Sequence, residues 1–219
     1  CRPGNLDGNP VHEDMLEGAR LIGTRVLAVN AVVGSRGETL FVNAGELDAS
    51  HRASCEFLSS HMRPAVERPY RAVICSAGGY PKDINLLQSH KAIRHASCVL
   101  EEGGIMLVAA ECREGAGSDS FAEAFAGGRL AVPQLVRKRY TLNAQAALST
   151  HELAARYSIY LKSAMDEASV ARFGLCPWRN GYEEFLLAGL ADDEILVLEN
   201  ASLLLPEMKP SAAAAPPLR

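Results

Sequence analysis

Apolar positions recur along this chain with two periods, and the order in which the periods alternate describes a layered α/β protein. Pro3-Gly4-Asn5 and Asp7-Gly8-Asn9-Pro10 are turn chemistry, and from His12 to Ile22 the residues Met15, Leu16, Ala19 and Ile22 fall at helical spacing. Residues 25–33 (Arg-Val-Leu-Ala-Val-Asn-Ala-Val-Val) read as a buried strand. Gly34 to Gly37 turns the chain into a second strand, Glu38 to Asn43, which predicts a hairpin. Gly45 to His61 is an amphipathic helix with Leu47, Ala53, Phe57 and Leu58 among its apolar positions. Pro64 and Pro69 then bracket Ala65-Val66-Glu67-Arg68, the clearest boundary in the sequence.

Past that boundary the rhythm becomes strand, helix, strand. Ala72 to Cys75 is a strand, and Asp83 to Leu100 is predicted as one helix that Glu101-Glu102-Gly103-Gly104 ends with a glycine cap. Ile105 to Ala110 is an apolar strand followed by the glycine turn Gly115 to Gly117. Asp119 to Ala126 and Ala144 to Arg156 are helices, with further strands at Ser158 to Leu161 and Glu194 to Leu198. Strands alternating with helices predict a mostly parallel sheet with flanking helices, preceded by the end of a second α/β domain with a hairpin and helix. The expected domains are residues 1–68, residues 69–209, and a tail at 210–219 that lacks periodicity and is expected to be disordered.

Composition narrows the function. With 219 residues, 48% hydrophobic and a net charge of -4, the chain has no basic excess to neutralise phosphates, which argues against nucleic acid as a partner. No apolar run approaches the roughly 20 residues that cross a bilayer, and no signal peptide is present, so the expectation is a cytoplasmic protein without a membrane partner. The six cysteines are scattered, with no C-x-x-C pair. Cys75, Cys98 and Cys112 lie in or beside apolar runs and are expected to pack as small hydrophobes in a reduced setting. Because the chain opens on Cys1 rather than Met, its true N-terminus is expected upstream.

The chemistry concentrates in residues 76–92, Ser-Ala-Gly-Gly-Tyr-Pro-Lys-Asp-Ile-Asn-Leu-Leu-Gln-Ser-His-Lys-Ala. A strand breaking at Gly78-Gly79 into a helix start is where open α/β sheets bind small ligands. On a wheel of about 100° per residue, Ile84, Gln88, Lys91 and His95 share one side, and Leu86, Ile93 and Leu100 the opposite one. Lys91 then points away from the core, able to hold a carboxylate or phosphate, with Gln88 offering a second hydrogen bond. The turn Ala110 to Gly117 is expected to form the other wall of a crevice there, with Glu111 and Glu114 read mainly as structural. Consecutive helical residues diverge, so His12, Glu13 and Asp14 do not suggest a shared metal; His51 and His61 read as surface residues. Phosphate-loop, nucleophile-elbow and zinc-protease motifs are absent, and the glycine spacing after Cys75 is not that of a dinucleotide fold.

The chain resembles the carboxyl-terminal half of the nickel-pincer lactate racemase family. The likeness is carried by Gly8-Asn9-Pro10-Val11-His12-Glu13-Asp14, by Val42-Asn43-Ala44-Gly45-Glu46, and most specifically by Gly78-Gly79-Tyr80-Pro81-Lys82-Asp83 through Gln88 and Lys91. It continues in Gly103-Gly104 to Glu111-Cys112 and, more loosely, from His151 through Phe173-Gly174 to Pro206. The resemblance implies a two-domain racemase whose nickel-pincer nucleotide accepts hydride from a 2-hydroxy acid while a histidine takes the hydroxyl proton. It assigns Lys91 and Gln88 the catalytic and carboxylate-gripping roles, with Gly78 and Gly79 as substrate-binding positions. The tether lysine and the nickel and acid/base histidines are expected upstream of Cys1, in a missing N-terminal cofactor domain, so no metal ligand is expected here and the fragment alone should be inactive. Leu87 replaces a family tyrosine and Leu142 falls nearest to a family tryptophan, which implies a hydroxy acid other than lactate. The rival reading is a non-catalytic carboxylate- or phosphate-binding α/β module; a third, nucleotide binding, would use Glu111 for a ribose.

Overall fold

Asn9 explains where the first element begins. Its Oδ1 accepts from the backbone N–H of Val11 at 3.1 Å, Pro10 occupies the first helical position, and α1 runs Pro10–Leu21. The structure is a computed structural model that describes residues 1–209. The tail expected at 210–219 lies outside them. By internal packing the chain divides at Pro64/Ala65 into two compact units.

In the first unit, strand β1 (Leu27–Val33) pairs antiparallel with β2 (Thr39–Glu46), as the hairpin reading anticipates. Glu38 folds back over the turn and accepts from the N–H of Arg36 at 2.8 Å. Helix α2 (Leu47–Met62) starts at Glu46, whose Oε2 accepts from Ala49 N–H at 2.9 Å, and it covers one face of the hairpin. That interface is mixed: Val32 is buried, Phe41 of β2 stacks on Phe57 of α2 with ring centroids 4.6 Å apart, and polar contacts lie beside them. Asn30 donates to Ser50 Oγ at 2.9 Å, Asn43 donates to the Ser50 carbonyl at 2.9 Å, and Ser54 donates to Asn43 Oδ1 at 3.3 Å. On the other face, Leu27, Val29, Val33 and Val42 are exposed.

The second unit opens with the two-residue strand β3 (Ala65–Val66), then β4 (Tyr70–Ser76), α3 (Leu86–Ala96), β5 (Leu100–Ala109), α4 (Asp119–Glu123), α5 (Val132–Lys138), α6 (Ala144–Arg156) and β6 (Ser158–Lys162). It continues through α7 (Glu167–Arg172), β7 (Cys176–Pro177), α8 (Tyr182–Leu186), β8 (Ile195–Leu198) and β9 (Glu207–Met208). Five of these strands form one parallel sheet in the order β7-β6-β5-β4-β8, and β3 pairs parallel with β9. The mixed α/β class and the parallel sheet with flanking helices are as the sequence predicts. Strands buried on both faces read as continuous apolar runs, and Val73, Cys75, Met106, Leu107, Val108, Ile159 and Leu161 form that layer. Phe121, Phe125 and Phe173 interlock beside it, with ring centroids 5.1 to 5.6 Å apart.

Three local expectations are corrected. The helix predicted over Asp83 to Leu100 begins at Leu86 and ends at Ala96, followed by one 3₁₀ turn. Glu101-Glu102-Gly103-Gly104 is no helix cap but lies within β5, where the register jumps from Tyr70↔Leu100 to Ala72↔Ile105. Gly103 takes φ +76 in this bulge, and a Cβ on Gly104 would sit 2.8 Å from Leu100 Cδ1, so the glycines serve a strand irregularity. Cys75 and Cys112 are buried thiols, whereas Cys98 is exposed rather than packed inside.

Candidate functional site

The carboxyl end of β4 is shaped by two glycines in the left-handed region. Gly78 has φ +94 and Gly79 has φ +70, backbone that side-chain-bearing residues rarely adopt. The N–H of Gly78 donates to Ser76 Oγ at 3.0 Å, and the N–H groups of Lys82 and Asp83 return to the Gly79 carbonyl at 2.8 and 3.2 Å. That tight turn delays the helix to Asn85, whose Oδ1 accepts from Gln88 N–H at 2.9 Å and caps α3.

Helix α3 buries Leu86, Ser89, His90, Ala92, Ile93 and Ala96. Gln88 is half-buried and Lys91 exposed, on the side the helical wheel assigns them. The Lys91 ammonium donates to Gln88 Oε1 at 2.8 Å. This contact draws the lysine head back toward the start of the helix, the direction in which helical side chains lean. It also engages the carbonyl end of the glutamine and leaves its Nε2 as a donor. The pair therefore offers N–H groups from two side chains to a carboxylate or phosphate. One turn on, His95 Nδ1 donates to the Ala201 carbonyl at 2.8 Å and binds the chain after β8 to α3; burial holds its pKa below the usual histidine value.

The loop at 111–117 packs tightly against this turn. Cys112 N–H donates to the Asp83 carbonyl, Glu114 N–H to Ile84, Leu86 N–H to Gly115 and Leu87 N–H to Ala116, at 2.8 to 3.2 Å. Glu111 N–H donates to Asp83 Oδ2 at 3.2 Å. The loop is thus zipped to residues 83–87 rather than standing off as the second wall of a crevice, and the Glu111 and Glu114 side chains are exposed. The wall across Gly78 comes instead from the end of β8. Ala201 N–H donates to the Ser76 carbonyl at 2.9 Å. Asn200 Oδ1 is buried without a hydrogen-bond partner over Gly78, where a Cβ would lie 2.1 Å from it and 2.6 Å from Lys82 Cε.

Sequence reading also passes over His90, hidden in the polar-looking run Ser89-His90-Lys91. Its side chain is buried, Nε2 has no partner, and desolvation, with lesser repulsion from Arg94, His95 and Lys91, lowers its pKa to about 4. Further along the sheet edge lie two cavities. One of about 250 Å³ is lined by Lys162, Met165, Trp178 and Arg179, among others; another of about 290 Å³ is lined by Cys112, Arg113, Met165 and Arg172. Gln88 and Lys91 line neither. In the first unit, His12 turns toward α2, its Nε2 3.6 Å from Asp48 Oδ1 and its ring stacked on His51 at 5.5 Å. Among the described residues no three His, Cys, Asp or Glu side chains are grouped to hold a metal ion, and no helix is long and apolar enough to cross a membrane.

Residues 67–147 match the family described as the lactate racemase C-terminal domain. Lactate racemase from Thermoanaerobacterium thermosaccharolyticum is 34% identical over 121 residues, which is 55% of this chain and 28% of that protein. Lactate racemase from Lactiplantibacillus plantarum is 31% identical over 122 residues, with the same coverage of 55% and 28%. In fold, the chain is similar to the lactate racemase apoprotein structure from T. thermosaccharolyticum, with TM-score 0.82 and 22% identity over 94% of this chain and 51% of that one. A Thermotoga maritima protein structure matches with TM-score 0.68 and 15% identity over 92% of this chain and 54% of that one. The chain thus spans about half the length of the solved structures it matches.

Proposed function

We propose that this chain, whose residues 67–147 match the lactate racemase C-terminal domain, is the substrate-gripping part of a racemase or epimerase acting on 2-hydroxy acids. The observation that carries the reading is the Lys91–Gln88 pair, joined at 2.8 Å beside the Gly78-Gly79 turn. Lys91 Nζ and Gln88 Nε2 donate to the two carboxylate oxygens of the substrate. Two fixed contacts restrain the carboxylate plane and so orient the carbon that bears the hydroxyl. Gly78 lets Asn200 and Lys82 close against the backbone of the turn, and Gly79 leaves its outer side open.

In this reading a nickel-pincer cofactor supplies reversible acceptance of the hydride from C2. The described residues of this chain do not form a donor set for nickel, so the residues that hold the metal, and those that move the hydroxyl proton, would come from the amino-terminal half of the whole protein. The part this chain plays is binding and orientation; a keto acid held by its carboxylate can take hydride back on either face. Its partners are then a small 2-hydroxy acid and the cofactor-bearing domain, with residues 69–209 as the substrate domain and residues 1–68 as the end of the cofactor domain.

Racemisation by the full-length protein, followed by chiral analysis of 2-hydroxy acids, tests the reading. Lys91→Ala should lower kcat/KM by roughly tenfold to a hundredfold, the loss of a charge-assisted contact, while bound nickel stays at its original level. Loss of nickel in that variant would remove Lys91 from the carboxylate-gripping role. Acid binding without racemisation in the wild-type protein would favour the non-catalytic carboxylate-binding module.

A further inference from the structure

The larger of the two cavities along the sheet edge, about 290 Å³, is bounded by the loops that follow β5 and β6 and by residues of α4 and α7. Open parallel sheets bind small ligands beyond the carboxyl ends of their strands. The volume is at the lower end of the range that such sites span.

The lining divides by chemistry. Cys112 and Phe173 are buried, and Met165, Ala116 and Ala122 are half-buried, which gives the cavity an apolar side. Two arginines, Arg113 and Arg172, join that lining. Arg172 is pinned there, because its Nη2 donates to the carbonyl of Ala122 at 3.0 Å. The Arg113 guanidinium rests over the Tyr80 ring, 4.5 Å from its centroid, a contact that uses none of its N–H groups. Among the described residues neither arginine has a carboxylate within ion-pair distance, whereas Arg156 and Arg179 in the same unit are each paired. The one acidic residue on the lining, Asp166, is already engaged at both oxygens. Its Oδ1 accepts from Ser169 N–H at 2.8 Å and its Oδ2 from Ser169 Oγ at 2.7 Å, capping α7. Positive charge therefore exceeds negative on the lining, and the arginines retain free donors. Backbone strain marks the same place. Cys112 takes φ +49, uncommon for a residue with a side chain, and the loop holds it there through Cys112 N–H to Asp83 and Gly115 N–H to Cys112, at 2.8 and 2.9 Å.

We propose that this cavity binds a small monocarboxylic acid with an apolar tail, at a site separate from Lys91 and Gln88. The carboxylate pairs with the guanidiniums of Arg172 and Arg113, whose planar fork matches its two oxygens. The tail lies against Met165, Phe173 and the alanines. Inorganic phosphate would meet the same cations but gain nothing from the apolar side, which favours the acid. Binding there does not depend on racemisation.

Calorimetric titration of hexanoate, acetate and inorganic phosphate into the full-length Lys91→Ala protein separates this site from the one on α3. Hexanoate should bind at least about tenfold more tightly than acetate, since each buried methylene is worth about fourfold, and more tightly than phosphate. Arg172→Gln should weaken hexanoate by about tenfold, the loss of a charge-assisted contact. Ala122→Leu, which fills the cavity and keeps both cations, should weaken hexanoate more than acetate. Absence of saturable hexanoate binding, hexanoate no tighter than acetate or phosphate, or affinity unmoved by both variants overturns the proposal and leaves the racemase reading standing. Failure of the wild-type protein to racemise any 2-hydroxy acid overturns that reading alone.

Discussion

Gly78 is the residue on which the site's geometry turns. Any side chain there meets φ +94 and a neighbour 2.1 Å from its Cβ. Gly78→Ala should therefore cost stability, roughly 1 to 3 kcal/mol from backbone strain alone, measured by urea unfolding. His90 makes a different prediction. Its pKa is lowered from 6.5 to about 4 in the folded chain, so the native imidazole stays neutral while the unfolded one takes up a proton first. Its contribution to stability is whole above the unfolded value and is lost as pH falls from about 6.5 toward 4. A gap of this size is worth on the order of 3 kcal/mol. His90→Leu should flatten that acid limb, read by comparing urea midpoints near pH 7 and near pH 4. His95, also shifted down by burial, acts in the same direction and will remain in the variant.

Among the elements, the aromatic trio is the clearest lever. Phe121 is fully buried on α4 and packs on Phe125 and on Phe173 at the end of α7. Phe121→Ala should destabilise by about 3 to 5 kcal/mol, visible as a lowered midpoint in thermal or chemical unfolding. The long elements were legible because their periodicity is unambiguous: β1 and β2, α2, α6 and the strands at β4, β5, β6 and β8 all lie close to where the apolar pattern puts them. The misreading at residues 101–104 has a definite cause. Glycine pairs read as helix punctuation at Gly103-Gly104, but a bulge needs the same residue, and only the partner strand's register distinguishes the two. The two-residue strands β3, β7 and β9 carry no periodicity at all. At the site, the direction of Lys91 followed from helix geometry. The Asn200 wall did not, because it depends on β8 returning beside β4, a long-range pairing that no local pattern announces.

Across the molecule, the two units are built on different physics. The second has a continuous apolar interior from Val73 to Ala201. The first fully buries only Val32 among its hydrophobic residues and joins helix to hairpin through Asn and Ser hydrogen bonds and one Phe41–Phe57 stack. A lone two-stranded hairpin is marginal in water. Residues 65–209 expressed alone should therefore unfold cooperatively in urea, while residues 1–64 alone should lack protected amides in hydrogen exchange. The aromatic chromophores make that contrast easy to follow. Trp178, the sole tryptophan, donates from Nε1 to Glu183 Oε2 at 2.8 Å at the rim of a cavity, and all six tyrosines also lie beyond residue 69. Ultraviolet emission excited at the indole and phenol bands is consequently a private signal of the parallel-sheet unit, and the hairpin unit is optically silent there. A spectroscopist can watch one half of this chain melt without a label and without interference from the other.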